Sequence, residues 1–326
     1  AQRMVLEAGV ELYTNTVVSA CQMADGRVTH VLIESKDGLQ ALAAGTVIDA
    51  TGDGLVCRRA GVPMQVSAGG MQPMSLCFLL RNVDVTTALL RDHIHHTGLH
   101  GQSKHMGIYH ALQKLAEQGE DVPQFGGPWF NSTMQEDLIC VNITRAAANA
   151  ADRAQLTQAE CRMREDAYKL VALLRKLYPE FAKASIAEIA AQGGVRETYH
   201  IRGLYTLSGA DILGGAPCAD GVAFCSHPVD IHSAQDNTQT AQYFDTPCPV
   251  PYRVMVAAGF DNLIAAGRCV SCVDEAYASM RVQGTCMAIG EAAGVAAAMR
   301  RETGCAVTAV NTDALRARLQ KQGAIV

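Results

Sequence analysis

A strong excess of one charge sign and long apolar runs are what this 326-residue sequence lacks. Its 27 Lys and Arg nearly balance 32 Asp and Glu, for a net charge of −5, and no basic block occurs. Nucleic acid and anionic membrane surfaces are therefore not expected as partners. No run of about 18 uninterrupted apolar residues exists, the length a transmembrane helix needs. The nearest stretch, 284–299, is short and carries Glu291. Residues 1–6 show no signal-peptide pattern, and there is no internal repeat or low-complexity tract. The 12 Cys are scattered rather than framed, which fits reduced thiols in the cytoplasm better than a disulfide scaffold. With 49% hydrophobic and 18% charged residues, the chain can bury a substantial core in one large or two medium domains.

The chain opens in what reads as an amphipathic helix ending at Gly9. Residues 10–20 and 27–34, rich in β-branched residues, are followed by 39–44, with turns at Asp25-Gly26 and Lys36-Asp37-Gly38, and together they predict an antiparallel meander. A short apolar strand, 46–50, runs into Thr51-Gly52-Asp53-Gly54, and glycine at a buried strand end lets a ligand or backbone come close. Residues 55–60 predict a helical turn, 75–80 and 138–143 strands, 85–118 broken helix, and 125–129 a Gly/Pro loop. Thr157, with Glu160 three residues on, predicts the start of a helix running to Tyr178. Strand character returns over 186–201, interrupted at Gly193-Gly194, and over 220–231. Residues 247–251 read as a turn and 313–321 as a last surface helix.

Residues 261–300, DNLIAAGRCVSCVDEAYASMRVQGTCMAIGEAAGVAAAMR, organise the rest. An apolar run, 262–266, stops at Gly267-Arg268 like a buried strand. A loop leads to a helix start at Gly284-Thr285, with Thr285 as its capping side chain. Beyond it small residues dominate, and each interior Gly costs about 1 kcal/mol against Ala, which points to a close neighbour. A helix N-terminus offers unpaired N–H groups and partial positive charge, suited to an anionic or electron-rich group. By periodicity alone the segment equally fits an ordinary buried helix of an α/β core.

The ordered motifs here are Asn262-Leu263, Ala266-Gly267-Arg268-Cys269, Ser279-x-Arg281-Val282, Thr285-Cys286-Met287-Ala288 and Gly290-x-Ala292-Ala293-Gly294-x-Ala296-Ala297. Val47-Ile48-Asp49-Ala50-Thr51-Gly52-Asp53-Gly54 and Val195-Arg196-Glu197 join them. Together they resemble the FAD-dependent oxidoreductases distantly related to the fumarate reductase and succinate dehydrogenase flavoproteins. The resemblance implies an α/β fold with α+β elements: a Rossmann-like FAD/NAD(P)-binding domain in two parts, 1–66 and 246–326, around an inserted substrate domain, 67–245. It implies FAD as cofactor, beside Thr51, Gly52, Asp53, Gly54, Gly267, Arg268, Arg281, Gly284, Thr285, Cys286 and Met287. The Gly-x-Gly-x-x-Gly fingerprint that holds the pyrophosphate is missing. In the family it precedes the point where this sequence opens, so an N-terminal truncation is expected.

Arg196, Arg202 and His232 are the catalytic candidates, acting on a small-molecule substrate. An Arg beside a flavin can hold a carboxylate or carbonyl and stabilise developing negative charge; the structural alternative is an ion pair with Glu197. His232, after a strand, can carry a proton near neutral pH, or simply be hydrogen-bonded at a seam. Cys269-x-x-Cys272 has redox or half-zinc spacing, but no second pair completes a metal site, so two unpaired thiols are expected. His93, His95, His96, His100, His105 and His110 lack i, i+4 stacking and read as a solvated surface, so no metal is expected. Two functional readings follow: a flavin-dependent oxidoreductase working by hydride transfer, or a folded remnant that no longer holds FAD.

Overall fold

The computed structural model describes residues 1–68, 70–87, 89–90, 106–215 and 218–326. The histidines at 93, 95, 96, 100 and 105 lie outside them. The chain is a mixed α/β protein whose residues pack into two compact units. The first combines Ala1–Val66, Tyr199–Val229 and Tyr243–Val326; the second combines Ser67–Thr198 and Asp230–Gln242. Residues 199–229 thus fold with the first unit rather than with the insertion. The reason is strand pairing: His200–Ile201 pairs with Met64–Gln65, and Gly221–Cys225 with Cys248–Pro251.

In the first unit, the strands Val17–Ala24, Arg27–Ser35 and Gly38–Ala43 form the antiparallel meander, the first turn being made by Asp25 and Gly26 at positive φ. The strand Val47–Asp49 then pairs in parallel with Leu263–Ala265, setting Asp49 opposite Ala265. Val28, Val56, Cys57, Val62, Leu263 and Ala265 share the core between meander, parallel pair and the helix Leu55–Ala60. Residues 248–251 are a strand, not a turn. Pro249 stands opposite Phe224 and Pro251 opposite Gly221 in this pair. The 220–231 segment splits into Gly221–Cys225 and Val229–His232, the latter paired with Gln239–Gln242.

The loop expected before residue 284 contains a helix, Asp274–Met280, and the long helix begins at Gln283, running to Thr303. Val282 precedes it with no side-chain cap. Thr285 is buried inside the first turn and does not cap. The buried face is Thr285, Ile289, Ala292, Ala293, Ala296, Met299 and Arg300. A Cβ added to Gly284, Gly290 or Gly294 would meet nothing within 4 Å. These glycines therefore do not mark a close neighbour within the chain; alanine, not glycine, makes the packed face.

The second unit is built on a four-stranded antiparallel sheet in the order Phe125–Ser132, Leu138–Thr144, Phe78–Arg81, Ser185–Ile189. Its core joins Phe78, Leu80, Ile139, Val141 and Ile143 of the sheet to Leu170, Val171 and Leu174 of the helix Arg153–Leu177, and to Ile108 and Leu112 of Met106–Glu117. Asp152, not Thr157, caps the long helix, its carboxylate accepting from the Gln155 N–H at 2.9 Å. Thr157 instead donates to the Arg153 carbonyl inside the first turns. The Gly/Pro loop expected at 125–129 is the start of a strand. Its register jumps between Phe125 and Trp129, so Gly126, Gly127 and Pro128 form a bulge rather than a break.

Candidate functional site

The parallel strands Val47–Asp49 and Leu263–Ala265 deliver their carboxyl ends side by side, the position where α/β sheets bind ligands. Asp49 is fully buried and ties the first end together. Its Oδ1 accepts from the Thr51 N–H and hydroxyl, at 3.1 and 2.7 Å, and its Oδ2 accepts from the Cys57 N–H at 2.8 Å. Thr51 Oγ1 in turn accepts from the Leu55 N–H, closing the helix start. Thr51 is thus engaged internally, although its sequence position alone suggests a ligand contact.

Gly52 and Gly54 have positive φ, and both are covered by side chains. A Cβ on Gly52 would lie 2.5 Å from the Arg268 guanidinium, and one on Gly54 would lie 2.7 Å from the Met64 methyl. Arg268 reaches Asp53 Oδ1 at 3.3 Å, so the two strand ends are bridged by a charged pair. Gly267, at φ +84°, is different, because a Cβ there would meet nothing within 4 Å.

The start of the helix Gln283–Thr303 packs near this bridge. The Cys286 thiol is pushed up by burial and pulled back by the Arg268 charge. Gly284 is exposed and open, and Met287 is exposed. The Cys286 N–H donates to the Val282 carbonyl at 3.0 Å, so it is not available to a ligand. The free donors of a helix end belong to its first residues, here Gln283, Gly284 and Thr285, earlier than the sequence predicts. Arg281 caps the preceding helix, its N–H donating to the Tyr277 carbonyl.

The Cys269-x-x-Cys272 pair diverges. Cys269 is buried against the Asp49 and Ala266 carbonyls, and burial pushes its thiol up to about 12. Cys272 faces His200 Nδ1 at 3.9 Å. Among the described residues no cluster of three or more His, Cys, Asp or Glu could hold a metal ion.

Arg196 and His232 both belong to the second unit, and hydrogen bonds run from the neighbouring Glu197 through Gln72 to His232. Arg196 Nη1 donates to the Pro73 carbonyl at 2.6 Å and to Ser75 Oγ at 2.8 Å. Its neighbour Glu197 is buried and accepts from the Ser67 hydroxyl and, at 3.0 Å, from the Gln72 N–H. The Gln72 side-chain carbonyl accepts from the His232 N–H, and His232 Nε2 lies 3.1 Å from Asp230 Oδ2. Burial drives the His232 pKa down to about 4; Asp230 pulls it up, while Arg196 and Arg145 add to the lowering. His232 is therefore neutral at pH 7. Arg202 belongs to the first unit, exposed, with Nε 3.4 Å from the Met64 carbonyl.

Sequence reading missed Arg145. It is 2% exposed and donates through Nη1 to Ser75 Oγ at 2.5 Å, Asn142 Oδ1 at 2.9 Å and the Thr144 carbonyl at 2.8 Å. Two guanidinium groups thus converge on the Ser75 hydroxyl. Gly126 leaves Arg145 room: a Cβ there would lie 2.5 Å from Arg145 Nε.

A family model described as FAD dependent oxidoreductase matches residues 1–319. The chain belongs to this family. No curated relative matches the sequence. Among solved structures, the flavin-dependent halogenase CmlS is similar at 12% identity and TM-score 0.44, covering 98% of this chain and 41% of that one. The flavin-dependent brominase Bmp2 gives 11% and 0.44, with 98% and 57% covered. A geranylgeranyl bacteriochlorophyll reductase-like protein from Thermoplasma acidophilum gives 11% and 0.40, with 98% and 56% covered. The chain spans about half the length of these structures.

FAD is the cofactor of the family, and the first unit offers surfaces that fit part of it. At Gly267 and Gly284 a planar group can approach the backbone without meeting side chains. Arg268 sets a full positive charge beside them, and the helix N-terminus adds a partial one. Among the described residues no helix is long and apolar enough to cross a membrane.

Proposed function

We propose that this oxidoreductase passes a hydride between FAD and a small organic substrate, with Gly267, Arg268 and Gly284 facing the cofactor and Arg196 holding the substrate. The observation that carries the reading is the parallel strand pair Val47–Asp49 and Leu263–Ala265 leading into Gly52 and Gly267, with Gly267 open and Arg268 alongside. FAD, when bound, supplies a two-electron acceptor or donor. The backbone at 267 and 284 leaves room for a flat ring, and the cation at 268 favours a ring that gains negative charge on reduction. Arg281, just before the long helix, adds charge of the same sign.

On the substrate side, Arg196 carries the planar donor fork that fits a carboxylate or carbonyl. Its fork is already oriented by the Pro73 carbonyl and Ser75. His232, held by Asp230 and neutral at pH 7, has its pKa lowered to about 4 and so takes up a proton only weakly there. Arg202 is assigned a supporting role in substrate binding, through its exposed guanidinium.

The test is direct. The purified chain is incubated with FAD, freed of excess by gel filtration, and its spectrum recorded. Retained flavin absorbance that falls on Arg268→Ala supports the reading. A colourless protein that takes up no FAD at any concentration tried, alongside a natively folded circular dichroism spectrum, overturns it for this chain.

A further inference from the structure

Two arginines of the second unit share one buried hydroxyl. Ser75 accepts at Oγ from Arg145 Nη1 at 2.5 Å and from Arg196 Nη1 at 2.8 Å. A hydroxyl oxygen has two lone pairs, so both are taken and the Ser75 rotor is locked. Like charges that meet at one oxygen repel, so the arrangement needs its members pinned from elsewhere. Ser75 is pinned through its backbone, its N–H donating to the Gly194 carbonyl and the Gly194 N–H donating back. That antiparallel bridge sets Pro73 opposite Arg196, and Arg196 Nη1 reaches the Pro73 carbonyl at 2.6 Å.

Arg145 is the fully buried member of the pair. Its Nη1 also reaches Asn142 Oδ1 and the Thr144 carbonyl. Its guanidinium lies against Gly126, where an added Cβ would fall 2.5 Å from Nε and 2.7 Å from Cζ and Nη2. Gly126 has no positive φ, so what this glycine supplies is room for Arg145. Arg196 is only half-buried. Two bonds from its one terminal nitrogen fix the plane of its guanidinium, and with it the direction of the Nε–Nη2 edge.

We propose that Arg145 is a positioning residue for Arg196, acting through Ser75 Oγ to hold the Arg196 guanidinium in the plane that receives a substrate carboxylate. The inference rests on the reading that Arg196 holds the substrate. Arg145 itself makes no contact with substrate. It fills the second lone pair of Ser75, so the hydroxyl cannot turn away from Arg196. Without that donor the rotor is released and the Ser75–Arg196 bond weakens.

The experiment uses the intact chain, without flavin or substrate, carrying isotope-labelled arginine for NMR. The Arg196 guanidinium signals are assigned by their loss in Arg196→Lys. Rotation about its Nε–Cζ bond is read from exchange between the two terminal nitrogens. Ser75→Ala is expected to speed that rotation roughly tenfold, the weak end of a hydrogen bond to a charged group. Ser75→Thr keeps the hydroxyl and restores the slow rate. Arg145→Lys keeps the charge but loses the fork, and is expected to speed the rotation roughly threefold. In a Ser75→Ala background the same change adds nothing, because the link is gone. Gly126→Ala displaces Arg145 without altering any of the three residues, and gives the same result should Arg145→Lys not fold. Arg196 turning at the wild-type rate in these variants, or equal acceleration with and without the Ser75 hydroxyl, overturns the proposal. Failure of the substrate reading would show in the FAD and turnover assays and leave these rates as they are.

Discussion

The side-chain amide of Asn262 pairs with both backbone polar groups of Val28. Its Oδ1 accepts from the Val28 N–H at 2.9 Å, and its Nδ2 donates to the Val28 carbonyl at 2.8 Å. The same Nδ2 reaches the Gly45 carbonyl at 3.1 Å. One side chain therefore stands in for a strand partner and ties the meander to the parallel pair.

Asn262→Ala leaves a buried N–H and two carbonyls without that partner. Each unmatched buried group costs about 1–3 kcal/mol, so a loss of roughly 3 kcal/mol is expected. Urea unfolding reads it directly; a loss below about 1 kcal/mol would show the amide to be dispensable.

Glycines of similar motif rank should respond in opposite directions. Gly290→Ala and Gly294→Ala add a methyl to helical backbone with open space beside it, and each is expected to raise stability by about 0.5–1 kcal/mol. Gly52→Ala forces a side chain into a backbone at φ +78° and against Arg268. It is expected to cost about 1–2 kcal/mol. Thermal melts of the three variants check the signs.

His232 makes stability depend on pH. Its folded pKa is lowered to about 4, below the ordinary 6.5, so between those values the unfolded chain binds more protons than the folded one. The contribution is present above pH 6.5 and is lost as pH falls toward 4, amounting to about 2–3 kcal/mol. Unfolding free energies of the protein and of His232→Gln, measured at pH 7 and pH 5, should converge at the lower pH. Parallel curves would remove His232 from the account.

Arg196→Lys keeps the charge but loses the fork that reaches Pro73 and Ser75. Under the proposed function, turnover with the true substrate falls roughly 10²-fold while bound flavin is unchanged. Parallel assays of rate and flavin content separate the two. Normal turnover would take Arg196 out of the substrate site.

The elements legible in the sequence were those whose signal is local. Alternation and Asp-Gly turns gave the meander, and apolar runs ending at Gly gave the two parallel strands. The start of the long helix was read one residue late because Thr285 looked like a cap, yet its side chain is needed on the buried face. The strand at 125–132 was hidden because a bulge uses the same Gly-Gly-Pro composition as a loop. The convergence of Arg145 and Arg196 on Ser75 could not be read at all. It depends on contacts between residues far apart in the chain, which no short window of sequence encodes.

The three stretches that make up the first unit have a consequence for synthesis on the ribosome. Val28 and Asn262 are 234 residues apart, so the meander emerges long before the residue that bonds it to the parallel pair. At about 5–20 residues per second, that interval is roughly 10–50 s. During it the strands 17–43 can pack only against the helix Leu55–Ala60 and still lack the Leu263–Ala265 strand, while most of the second unit is already outside the exit tunnel and able to close its own sheet. The order of appearance thus lets the interrupting unit close its sheet before the strand that completes the first unit has been made.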